Sequence, residues 1–97
     1  MASYIMLANY TSLGIRNINA TTQRARDFRK ETEKVGIKVK DIYWTLGQFD
    51  VVVIAEAPDD ETMTAMALAL GRLGNVTTQT LRAFPIEAME NIIGKLP

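Results

Sequence analysis

The chain contains neither cysteine nor histidine. Without cysteine there is no disulfide, no thiolate nucleophile and no thiolate metal site. Without histidine, a Ser-His-Asp triad, a His-ligated zinc or copper and the usual proximal ligand of haem are excluded as well. Net charge is also missing: eleven Lys plus Arg balance eleven Asp plus Glu, which offers nucleic acid or an anionic membrane no overall attraction. Nowhere do about eighteen apolar residues follow one another, and Met1-Ala2-Ser3 runs into a strand with no basic leader or cleavage pattern. The expectation is a cytoplasmic protein with no metal and no cofactor, and with neither nucleic acid nor membrane as partner.

What is present is enough for one core. Ninety-seven residues, 47% of them hydrophobic and 23% charged, make a single domain over residues 1–97 the natural reading, near the size where a monomer has little core to spare. The charges are unevenly spread. Residues 1–49 hold eight basic and four acidic side chains, net +4, and residues 50–97 hold three basic and seven acidic, net −4. Much of the excess is Arg24, Arg26, Arg29, Lys30, Lys34, Lys38 and Lys40, interleaved with Asp27, Glu31, Glu33 and Asp41. That interleaving describes a solvated helix face better than a nucleic-acid patch.

Ser3 to Tyr10 is apolar at successive positions, as in a strand covered on both sides. Thr11-Ser12 caps a short turn through Gly14-Ile15-Arg16. Thr21 or Thr22 then caps a helix over about 22–35, with Ala25, Phe28, Thr32 and Val35 at helical spacing and Gly36 as its left-handed stop. The second strand, Ile37 to Leu46, changes parity between Val39 and Ile42, and a β-bulge near Lys40-Asp41 would restore one face. After Gly47-Gln48, Phe49 to Glu56 is a third strand, again apolar on both faces.

Pro58-Asp59-Asp60-Glu61 opens a second helix with acids at the positive end of its dipole, and Gly74 closes it. Its apolar stripe is Met63, Met66, Ala67, Leu70 and Leu73. Asn75 to Phe84 has the mixed pattern of an edge strand, Pro85 breaks it, and Ile86 to Ile93 forms a short C-terminal helix. The order predicts an α+β, ferredoxin-like βαββαβ fold: a four-stranded antiparallel sheet in order 4-1-3-2, two helices on one face, and the short helix at the end. Two helices cover only one face. The other, roughly 350 Å² in projection for strands of ordinary length and spacing, is as large an apolar patch as a monomer tolerates. A homodimer or higher homo-oligomer is therefore expected, with two-fold closure the commonest arrangement.

Chemistry is left to carboxylates, phenols, arginines and hydroxyls. Asp50, at the start of a central strand, is either an acid or base at a cavity mouth or a turn carboxylate bonding backbone donors around Gly47. Tyr10, Tyr43 and Trp44 are packing residues or ligand-stacking ones. Arg16 and Arg82 stand apart from the main charge cluster and either bind an anion or pair with Asp50. The candidate ligand site is thus Tyr10, Arg16, Tyr43, Trp44, Asp50 and Arg82. Asp59, Asp60 and Glu61 are explained by the helix start rather than by a cation.

The run Tyr43-Trp44-Thr45-Leu46-Gly47-Gln48-Phe49-Asp50-Val51-Val52-Val53, then Glu56-Ala57-Pro58-Asp59-Asp60, then Leu73 through Phe84, closely resembles the GYD domain family. So does the opening Tyr4-Ile5-Met6-Leu7 with Tyr10-Thr11 and Gly14 to Ile18. The naming motif is carried by Gly47, Phe49 and Asp50, with Phe49 where the family commonly has tyrosine. The resemblance implies a small bacterial protein, related in fold to dimeric α+β barrels and without an established general activity. Three functions stay open: a self-associating module that binds a small molecule or a protein, a metal-free enzyme using Asp50 beside Tyr10, Tyr43 and an arginine, and a structural assembly protein.

Overall fold

Hydrophobic residues on both parities of the first and third strands put those strands at the centre of the sheet. In the computed structural model, which describes residues 1–97, the strands are β1 (Ala2–Tyr10), β2 (Lys38–Trp44), β3 (Val51–Ala57) and β4 (Val76–Ala83). They form one antiparallel sheet in the order β2-β3-β1-β4, which is the expected 4-1-3-2 order. The helices are α1 (Ser12–Arg16), α2 (Thr21–Glu33), α3 (Asp60–Arg72) and α4 (Ile86–Ile93), with one 3₁₀ turn at Ile18–Ala20. None is long and apolar enough to cross a membrane.

Register decides which side chains meet the helices. β1 pairs with β3 so that Tyr4 faces Ala55 and Met6 faces Val53; these four are buried, together with Ala8, Ala57, Ile37 and Met63. Phe28 of α2 and Met66, Ala67 and Leu70 of α3 pack on the same cluster, so α2 and α3 share one face of the sheet. In β2 the register slips between Val39 and Asp41. Lys40 is the extra residue, and Val39, Ile42 and Trp44 consequently align with Ala55, Val53 and Val51. The parity change in the sequence is this bulge.

The ends of the helices follow local chemistry. Thr11 caps α1 by accepting from the Gly14 amide, and Asp59 caps α3 by accepting from the Thr62 amide at 2.7 Å. Hydrogen bonding from Thr62, through its backbone amide first, holds the Asp59 carboxyl below its usual pKa. Gly36, Gly47 and Gly74 have positive φ, at 81°, 100° and 85°, the conformation that favours glycine after a helix or in a tight turn. One expectation fails: Ala20, not Thr21 or Thr22, is the N-cap of α2, and it makes no side-chain cap. The 3₁₀ turn runs directly into the helix, and the Thr21 hydroxyl is engaged elsewhere.

Gly14 is required for a different reason. Thr11 donates its amide to the Asn75 carbonyl at 3.0 Å and its hydroxyl to the Gly74 carbonyl at 2.6 Å, which presses α1 onto the turn after α3. A Cβ at Gly14 would lie 2.0 Å from the Asn75 oxygen. Gly14→Ala should therefore cost about 1–3 kcal/mol or more. Gly71→Ala, near the end of α3 where an added Cβ meets nothing within 4 Å, should gain about 0.5–1 kcal/mol. Urea unfolding of both variants tests the pair, and similar midpoints would contradict it.

Candidate functional site

Side-chain size along the inner face of the sheet shapes a cleft. Tyr4 fills the space over Ala55 and Ala57 beneath the start of α3, whereas the other end of the face carries only Ala8 opposite Val51. α2 packs on β2, and α3 on β3 and β4. Over Ala8 and Val51 the space between these helices and the sheet is left as a cleft of about 620 Å³. Its walls are mostly apolar, with Met6, Phe28, Val53, Met66 and Leu70 among them. The volume lies in the range of small-molecule sites.

Tyr10, Trp44 and Thr21 form the polar end of this cleft. The hydroxyls of Tyr10 and Thr21 are 2.7 Å apart, and the indole Nε1–H of Trp44 is shared between them at 3.0 and 3.1 Å. One turn further along α2, Arg24 donates through Nη1 to the Asn17 carbonyl at 2.8 Å. Its Nη2 is shut off from solvent and has no hydrogen-bond acceptor. Thr21 and Arg24 were not among the expected site residues. Arg24 looked like one more member of a solvated basic face; the available signal was its position immediately beside Ala25 and four residues before Phe28, on the flank of the apolar stripe.

Of the six candidate residues, the structure brings three together and disperses the others. Asp50 adjoins Tyr10: its Oδ2 accepts from the Tyr10 amide at 2.9 Å, its own amide donates to the Ala8 carbonyl and its carbonyl accepts from the Thr45 amide, both at 2.9 Å. The donor is across the sheet in β1 rather than around Gly47. The last β1–β3 pair is Ala8 with Val51, and the carboxylate takes the place of the next backbone acceptor.

Tyr43 points to the opposite face of the sheet and is 56% exposed. Arg16 ends α1 in solvent. Arg82 lies opposite Tyr4 in the register, its guanidinium 5.5 Å from the Tyr4 ring centre and 4.7 Å from that of Phe84, and it donates to the Ser3 carbonyl at 3.2 Å. The ion pairs are Lys34–Glu31 and Lys40–Glu56; the expected pairing of Arg16 or Arg82 with Asp50 does not form, because Arg82 sits at the Tyr4 end of β1 and Asp50 at the Tyr10 end.

Tyr4 is 3% exposed and donates its hydroxyl to Asp60. Burial first, and then that hydrogen bond to a carboxylate, raise its pKa above the ordinary phenol value, although Arg82 works the other way.

A four-stranded antiparallel sheet with two helices and a cleft on one side, and no helix layer on the other, defines a two-layer α+β protein. The GYD domain model matches residues 4–93, and the chain belongs to that family. It is 32% identical over 87 residues to a Thermus thermophilus protein named glutamine synthetase and cystathionine beta-lyase binding protein, a match covering 89% of this chain and 92% of the relative. No solved structure matches the chain.

Asp50→Asn, which keeps one acceptor oxygen, should cost about 0.5–2 kcal/mol in urea unfolding as the β1–β3 closure weakens; a wild-type midpoint would show that the carboxylate is not holding the strand. For Tyr4, the folded state favours the protonated phenol. The stability this brings is complete below the unfolded pKa of about 10 and is lost as pH rises through the higher folded value. Melting temperature should fall above about pH 10 in the native chain and fall less in Tyr4→Phe. Parallel curves would remove Tyr4 as the cause.

Proposed function

We propose that this protein is a self-associating protein-binding module on a ferredoxin-like frame, joined to its own second copy through the sheet face that carries no helix. The observation that carries the reading is the apolar centre of that face. Ile5 and Leu7 of β1 and Val52 and Ile54 of β3 point away from α2 and α3 and stay only half-buried. Tyr43 and Leu81, on the flanking strands, are 56% and 40% exposed. Around them the surface turns polar, with Thr77, Gln79 and the Lys40–Glu56 pair at 3.9 Å. An apolar centre inside a polar rim is the anatomy of an interface.

Size argues for more than the sheet alone. A standard interface buries about 800 Å² per partner, above the roughly 350 Å² projected area of a sheet face with strands of this size. α4 supplies further apolar surface, since Ile86, Met89 and Ile93 lie one or two turns apart and are 79%, 46% and 54% exposed. It has no packing partner comparable to those of α2 and α3. A second copy that takes both surfaces satisfies the unmet burial in one closed, two-fold contact. The relative's name, which specifies binding of two enzymes, supports a protein partner for the surface that self-association leaves free. Asp50's engagement with the strand backbone supports binding without turnover.

Sedimentation velocity at micromolar concentration should give a defined oligomer, and Leu7→Lys, a charge at the centre of the face, should return a folded 10.8 kDa monomer. A wild-type monomer, or an oligomer indifferent to Leu7→Lys, would refute association through this face. Partner binding is read separately, by biolayer interferometry against purified glutamine synthetase and cystathionine beta-lyase; no saturable signal with either removes that half of the proposal and leaves the first standing.

A further inference from the structure

The helix-side cleft is independent of the sheet face proposed for association, and its polar groups identify a ligand class. Arg24 is the decisive residue. Of its guanidinium nitrogens, Nη1 is held by the Asn17 carbonyl, while Nη2 is sealed from solvent with no acceptor. A sealed cationic donor without an acceptor is unfavourable in any fold and invites an anion. The carboxylates at the cleft mouth are otherwise engaged: Asp27 accepts from Gln23 at 3.0 Å, and Glu31 holds Lys34 at 3.0 Å.

Hydrogen counting at the Tyr10–Thr21–Trp44 cluster adds a second donor. The three groups own three polar hydrogens. The indole N–H is shared by the two hydroxyl oxygens, and one hydroxyl donates to the other. The remaining hydroxyl hydrogen has no acceptor within the trio. Thr21 and Arg24 are three residues apart on α2, so the hydroxyl pair and the Arg24 side chain meet on one side of that helix. Beyond them the cleft is apolar, lined by Met6, Phe28, Val53, Met66 and Leu70.

We propose that the cleft binds a small amphipathic monocarboxylate, its apolar body against Phe28, Met66 and Leu70 and its carboxylate on the spare hydroxyl of the Tyr10–Thr21 pair and on the guanidinium of Arg24, which lines the cleft and turns on its side-chain torsions to bring the unpaired Nη2 to the anion. The body is an alkyl chain or an aromatic ring system, and the choice of probes separates the two.

Trp44 is the one tryptophan of the chain and lines the cleft, so its fluorescence reports occupancy directly. The full chain is titrated with decanoate and its neutral counterpart decanamide, and with 1-naphthylacetate and 1-naphthylacetamide, each affinity being confirmed by calorimetry. At least one carboxylate should bind saturably and about tenfold to a hundredfold tighter than its amide, the range for a charge-assisted hydrogen bond. Preference within the decanoate pair assigns an alkyl body, and preference within the naphthyl pair an aromatic one. Arg24→Gln should abolish the preference for the carboxylate while leaving amide binding in place. The wild-type comparison needs no variant, so it decides the matter even if Arg24→Gln is unstable. Equal binding of acid and amide in both pairs, an acid preference that survives in folded Arg24→Gln, or no binding of any probe at millimolar concentration would each overturn the proposal.

Discussion

Pairing between β1 and β3 is the contact on which every other element depends. The two strands are far apart in sequence, so each backbone bond between them closes a long loop, and the return comes only when their side chains are covered. On the inner face that cover is α2 and α3, each reached by a crossover whose length suits a helix. On the outer face the same strands present Ile5, Leu7, Val52 and Ile54 with no helix layer above them. A pair of central strands that is apolar on both sides thus sets two requirements, of which the fold meets one internally.

The architecture was readable because several independent signals agreed. The two strands with apolar residues on both parities are the two at the centre of the sheet, the parity change at Lys40 is a real bulge, and Gly36 and Gly74 stop helices in the left-handed conformation. Boundaries were read less well: the expected second strand extends to Leu46, but pairing ends at Trp44, and Leu46 is fully exposed in the loop before β3. Local pattern marks where a strand can run, whereas its end depends on where its neighbour stops.

The site was only half legible, for a related reason. Tyr10, Trp44 and Asp50 stood out as aromatics and an acid at strand ends; Tyr10 and Trp44 line one end of the cleft, while Asp50 holds the Tyr10 backbone amide and is not part of the cleft wall. Arg16, Tyr43 and Arg82 were unusual in their local sequence but belong to other parts of the surface. Arg24 reads in the sequence as part of a solvated basic face and Thr21 as a helix cap, because a basic residue among basic residues, and a threonine at a helix start, are ordinary until the helix is set down against β1 and β2. What distinguishes Arg24 is the environment of a single nitrogen, and that is a property of tertiary packing. Helix spacing narrows the choice to the flank of the stripe and no further.

The bulge at Lys40 has a consequence beyond restoring the hydrophobic face of β2. β2 is an outer strand, with backbone groups on one side not used within the sheet, and a straight strand in that position is a template on which further chains could stack without limit. A two-for-one irregularity with a lysine at its centre bends that template and charges it. Growth by adding strands along this edge is thereby disfavoured, and the β2 side of the sheet is kept from seeding an open-ended fibre.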